Sequence, residues 1–150
     1  MFLSLTSCDE VEDNDVGGSK VEAMAGDWYV QTFVGQNLAL DYSLITTYNT
    51  ASNSANEMWI NDNGHIWEFL AKTPVNLSAL TFSGNNLASD FDGYQITVNI
   101  TNGKITKGDV ITPAGNPTDG ISFDIEFSDD PGTIYTMKGY KRTGFADDEH

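Results

Sequence analysis

The chain has 150 residues, 22 acids against 7 bases, a formal net charge of -15 and a single cysteine. So acidic a chain repels phosphate backbones, and one cysteine makes neither an internal disulfide nor a Cys cluster for zinc, so no nucleic acid, metal or cofactor is expected. No apolar run approaches the roughly 20 residues of a spanning helix, and the length suits one domain that buries about 68–70% of its unfolded surface.

The charge is uneven along the chain. Asp9, Glu10, Glu12, Asp13 and Asp15 precede a Gly17-Gly18-Ser19 linker, and Asp147, Asp148 and Glu149 lie at the other end. Between Val16 and Ala146 fourteen acids face all seven bases, which is ordinary for a soluble domain. The acidic block has too little apolar surface to offset ordering, so residues 9–20 are expected to form a disordered linker. Just before it, Leu5-Thr6-Ser7-Cys8 is a hydrophobic residue, two small ones and a cysteine, the pattern of a bacterial lipobox in residues 1–8. Cleavage before Cys8 would leave its thiol to carry diacylglycerol, and several acyl chains give firm anchoring. Residues 1–7 lack the basic start and apolar stretch of a full signal peptide, so a clipped signal is expected. The acidic run after Cys8 resembles the surface-export signal of Bacteroidetes lipoproteins, which implies an outer-membrane lipoprotein exposed at the cell surface.

The folded part is expected over residues 21–146. Residues 21–25 suit one helical turn, with Ser19 as N-cap and Glu22 as its reciprocal partner. Beyond it nearly every segment alternates with period two, the signal of strands. Trp28, Val30, Thr32 and Val34 share one face of the first strand, and residues 43–50 are rich in Thr, Ile and Tyr. Residues 58–60 and 65–70 flank Asn61-Asp62-Asn63-Gly64, read as a tight hairpin. A short strand is expected at 80–83. Residues 94–101, with Ile96, Val98 and Ile100 on one face, are expected to reverse at Asn102-Gly103 into 104–112. Ile121, Phe123, Ile125 and Phe127 alternate with polar residues, and Asp129-Asp130-Pro131-Gly132 turns that strand into 133–142. Some eight antiparallel strands with short links make an all-β chain. An up-and-down barrel disposes of its edges most completely, with a sandwich as the alternative.

Two features at opposite ends of the domain resemble the lipocalin or calycin pattern. Gly26-Asp27-Trp28-Tyr29 is similar to the G-x-W of the first strand, and Lys141-Arg142 end the last one. The resemblance implies Arg142 packed across Trp28 to close the barrel base. With the lipobox and the stretches Tyr48-Asn49-Thr50-Ala51 and Met58-Trp59-Ile60-Asn61-Asp62-Asn63-Gly64, the chain resembles a Bacteroidetes family described as lipid-binding putative hydrolases. That family implies a lipocalin-like secreted or anchored protein with a lipid ligand, and it transfers no catalytic motif.

An apolar wall for such a ligand is available from Ile96, Val98, Ile100, Ile121, Phe123, Ile125 and Phe127, joined by Trp59 and Trp67. The same inward set would equally fill a packed core, and both outcomes stay open. Trp59 or Tyr48 could instead stack on sugars, making a surface glycan- or protein-interaction module. His65 is the one histidine inside the domain and the weak candidate for a hydrolase base; no G-x-S-x-G elbow accompanies it. The Asn61–Gly64, Asp90–Gly93 and Asp129–Gly132 clusters carry oxygen ligands without EF-hand spacing, and they read as turns. The expected protein is a monomer that holds a small hydrophobic molecule or lipid in its barrel and a membrane through Cys8.

Overall fold

Period-two alternation is realised in eight strands that pair antiparallel in chain order. The computed structural model describes residues 19–150, and in it the strands are β1 (Gly26–Val34), β2 (Asn37–Asn49), β3 (Glu57–Asn61), β4 (Leu70–Asn76), β5 (Thr81–Phe91), β6 (Tyr94–Ile111), β7 (Pro117–Phe127) and β8 (Tyr135–Lys141). β8 also pairs with β1, so the sheet closes into the expected up-and-down barrel and leaves no edge strand. Cys8, the acidic run and Gly17-Gly18 lie outside the described residues.

The inward face is a continuous apolar filling. Trp28, Val30, Ile45, Ile60, Ile100, Ile125 and Phe127 are all fully buried, and each such side chain contributes about 1.5–3 kcal/mol. Up-and-down topology then fixes two ends. The connections 35–36, 62–69, 92–93 and 128–134 meet at one end, and 50–56, 77–80 and 112–116 at the other.

The second end is plugged. A 3-10 turn, Glu22–Met24, buries Met24 beside Val21 under the barrel. Ser19 joins this turn through its carbonyl, which accepts from the Glu22 N–H at 3.2 Å, and the turn has no side-chain cap, contrary to the expected capping box. Trp28 Nε1 donates to Thr47 Oγ1 at 2.9 Å, and that hydroxyl donates to the Met24 carbonyl at 2.7 Å, so strand, neighbour and plug share one satisfied chain. The cation over Trp28 is Lys141, at 6.0 Å, and not Arg142. Lys141 is the register partner of Trp28 and shares its face, whereas Arg142 lies past the strand end and turns to Glu149 at 2.6 Å.

Two hairpins differ from the sequence reading. Asn102-Gly103 is not a reversal: β6 runs through it as one 18-residue strand, and the chain turns back at 112–116. The pairs Thr101 with Asp124 and Lys104 with Ser122 leave one extra residue on β6, a bulge with Asn102 at φ 55°. A Cβ on Gly103 would sit 2.3 Å from the Phe82 carbonyl oxygen, so the glycine serves close strand approach. Likewise β4 starts at Leu70, not at His65, and an eight-residue loop replaces the tight hairpin at Asn61–Gly64. Asp62 is the reason, as the site geometry makes plain.

Candidate functional site

The unplugged end is organised by one buried carboxylate. Asp62 is fully buried, and its Oδ1 accepts the N–H groups of Gly64 (2.9 Å) and Phe69 (3.0 Å). Its Oδ2 accepts those of Ile66 (3.3 Å), Trp67 (2.6 Å) and Glu68 (2.7 Å). Five donors on one charge hold loop 62–69 as a fixed lobe, which a two-residue turn could not form. The lobe carries Trp67 over the barrel mouth. Its indole stacks on Phe127 with centroids 4.4 Å apart, lies 5.4 Å from Tyr135, and donates Nε1 to Asp129 at 3.0 Å. Tyr94 also donates to Asp129, and Tyr135 donates to Asp130 at 2.7 Å. The Asp130 hydrogen bond, then burial, pushes the Tyr135 phenol above its ordinary range.

Beneath Trp67 lies a cavity of about 230 Å³ lined by Thr32, Ala39, Leu40, Ile66, Trp67, Phe127, Tyr135 and Met137. Its walls are apolar apart from two hydroxyls. Tyr135 has its Asp130 partner, whereas Thr32, 3% exposed, has a buried Oγ1 with no partner. Around the opening Val34, Leu40 and Ile134 leave between 38% and 49% of their surface in water, so the apolar lining continues onto the rim.

Of the nine residues expected to form an apolar ligand wall, Phe127 and Trp67 line this cavity. Val98, Ile100, Ile121, Phe123 and Ile125 are closed in the packed core below, and Ile96 is half-buried against that core. Trp59 faces outward, with Lys72 Nζ 5.7 Å from its ring. The reason is volume: large side chains from all strands fill the barrel's middle, so space survives only where β1 and β2 supply Thr32 and Ala39. Thr32 was visible as the one polar member of the first strand's inward set; the roles of Ile66 and Met137 had no sequence signal.

Besides smaller hollows of about 260 Å³ at Asn86, Thr97 and Glu126 and about 210 Å³ at Val75 and Phe82, two larger ones lie on the outer wall. One, of about 460 Å³, includes Lys104, Ser122, Lys138, Val110 and Ile111; the other, of about 450 Å³, includes Tyr29, Tyr42, Ser43, His65 and His150. His65 is exposed and has its Nδ1 2.8 Å from the Leu44 carbonyl, with neither a serine hydroxyl nor a carboxylate in a hydrogen bond to it. Ser43 instead donates to the Asp41 carbonyl at 3.1 Å. The aromatics considered for sugar stacking, Trp59 and Tyr48, are half-buried, as are Trp67 and Tyr42, whose ring partners are Phe127, Tyr135, Tyr140 and His150. In the three Asp/Asn-rich clusters, side-chain oxygens of Asn61, Asp62, Asp90, Asp129 and Asp130 are engaged by turn and lobe N–H groups or by Trp67, Tyr94 and Tyr135. Among the described residues no three His, Cys, Asp or Glu side chains converge as metal ligands would.

A protein-family model described as lipid-binding putative hydrolase matches residues 13–146 of this chain. No curated protein matches it.

Proposed function

The chain belongs to that lipid-binding family, and on this premise we propose that the barrel takes a small hydrophobic ligand or lipid into the mouth beneath Trp67. The observation that carries the reading is the combination of a filled middle with an apolar cavity at the mouth, opened to an apolar rim. About 230 Å³ is below the roughly 300–1,000 Å³ of whole-ligand pockets, so the mouth holds one end of a molecule while the remainder lies along Val34 and Leu40. Ala39 is on the cavity wall and exposed, so Ala39→Phe fills the space without touching the core. Native mass spectrometry of protein purified from its own host should show a bound lipid mass in the parent and none in this variant. Equal uptake by both would refute the mouth as the site.

The proposal extends to a monomer tethered through a lipidated Cys8 in the outer membrane and facing outward. The Leu5–Cys8 motif and the acidic run behind it support this. The described chain enters the barrel at the plugged end, where the Lys20 N–H donates to Asn53 Oδ1 at 2.9 Å, so a tether there would leave the mouth pointing away from the membrane. Labelled palmitate fed to host cells expressing the gene should enter the protein and be lost in Cys8→Ser; unlabelled parent protein would refute the anchor.

A further inference from the structure

The unpartnered Thr32 hydroxyl says which end of a ligand enters. Thr32 lines the mouth cavity, and its Oγ1 is buried at the cavity wall with no hydrogen-bond partner, although a buried polar group in a native fold is nearly always bonded. Its inward neighbours on β1, Trp28 and Val30, are either apolar or fully satisfied, so the position would take valine on packing grounds alone. A hydroxyl kept there without a partner is matched to a polar atom of the ligand, delivered to the cavity wall in a sheath of hydrocarbon.

The charges at this end limit what that atom belongs to. The four connections around the mouth contain Asp62, Glu68, Asp92, Asp129 and Asp130 and no Lys or Arg. The nearest lysine along β8, Lys138, lies on the outer wall over Phe33, 5.1 Å from its ring. An ionised carboxylate or phosphate at Thr32 would therefore be buried without a countercharge and within an acidic ring, which is heavily unfavourable. A quaternary ammonium would meet the ring faces of Trp67, Phe127 and Tyr135, but it has no atom that can bond the Thr32 hydroxyl, and no carboxylate lines the cavity to balance it, because Asp129 and Asp130 turn their oxygens to Trp67, Tyr94 and Tyr135.

We propose that the mouth selects neutral single-chain amphiphiles and takes them head first, with a ligand hydroxyl or carbonyl bonded to Thr32 Oγ1 and the alkyl chain leaving past Leu40 and Trp67. This rests on the mouth being the lipid site and adds the head chemistry and the direction of entry. The test is a matched ten-carbon series, 1-decanol, decanoate and decyltrimethylammonium, titrated below micelle formation at pH 7.5 by calorimetry and Trp67 fluorescence. The expected result is decanol binding at least tenfold more tightly than either ion. Thr32→Val, nearly isosteric, should weaken decanol about fivefold, consistent with loss of one neutral hydrogen bond, and Thr32→Ser should restore most of it. Three ligands within threefold of each other, or decanol indifferent to Thr32→Val, would overturn head-first selection while leaving the mouth as the site. Binding of decanol that survives Ala39→Phe, or no binding of any member, would overturn both.

Discussion

Replacing Asp62 by asparagine should open the mouth without dismantling the barrel. The substitution keeps size and hydrogen-bonding shape but leaves one oxygen where there were two. Whichever way the amide turns, two or three of the N–H groups of Gly64, Ile66, Trp67, Glu68 and Phe69 lose their acceptor and face an NH2 donor. A hydrogen bond to a charged acceptor is worth about 1.5–3 kcal/mol, so two lost bonds come to roughly 3–6 kcal/mol, reduced where the more exposed Gly64 and Glu68 amides recover water. A loss of about 3–4 kcal/mol is the working figure, and it has a ceiling. Once lobe 62–69 detaches, the remaining strand pairing does not depend on it, so the global loss stops at the free energy of local opening. Urea unfolding should show a lower midpoint with a slope reduced by the surface the opened lobe already exposes, and hydrogen exchange should accelerate at Trp67, Glu68 and Phe69 before it does in β1 or β7. A loss below about 1 kcal/mol, with those amides exchanging as in the parent, would refute the view that one carboxylate builds the lobe.

Four further outcomes follow from the same geometry. Thr32→Val should stabilise the unliganded protein by about 1–2 kcal/mol in urea unfolding, because it removes a buried unpartnered hydroxyl. Gly139→Ala should cost about 3 kcal/mol or more, or prevent soluble folding, because its Cβ would stand 1.8 Å from the Tyr29 carbonyl oxygen across the β1–β8 seam. Lys141→Ala should change the near-UV circular dichroism of Trp28 and cost about 0.5–1 kcal/mol, whereas Arg142→Ala should leave that spectrum unchanged. Burial, with Tyr42 and Asp148 adding to it, pushes the Tyr140 phenol up to about 12. The folded state holds this proton more tightly than the unfolded chain, so stability is complete below pH 10 and falls as pH rises from about 10 to about 12; Tyr140→Phe should flatten that slope in alkaline urea titrations.

The strands were legible because their signal is strictly local. Ile121, Phe123, Ile125 and Phe127 alternate in sequence, and all four are buried on one face of β7. Reversals were less so. Asp92-Gly93 and Asn102-Gly103 carry the same turn chemistry, and Asp92 and Asn102 have nearly the same backbone, φ 52° and φ 55°. The first pair is a hairpin and the second a bulge, because residues on both sides of 102–103 find partners in β5 and in β7 at once. A strand paired on both edges gains more hydrogen bonds by running on than by turning back, and that gain is invisible from the dipeptide. The Asp62 lobe escaped for a related cause: Asn61-Asp62-Asn63-Gly64 suits a tight turn, but the five N–H groups that settle its shape lie further along the chain, at 64 and 66–69.

The site was harder to read than the fold because a cavity is a deficit, and a deficit belongs to no single residue. Alternation identifies which side chains point inward, and for Val98, Ile100, Phe123 and Ile125 that was sound; whether they bound a space or fill it depends on the volumes opposite. At the plugged end the opposite volume is Trp28 with Met24 and Val21, all three fully buried. At the mouth Trp67 covers the barrel from above on a loop, while Thr32 and Ala39 replace bulk on the wall, so space remains. The two ends also differ in how their inward polar atoms are treated. Every step of the Trp28, Thr47, Met24 chain is bonded within the protein, as a permanent closure requires. Thr32 is left unbonded in the one place where the walls stand apart. A fold that could have placed valine there, and gained stability, instead carries a hydroxyl whose cost is recovered when a ligand brings the missing partner.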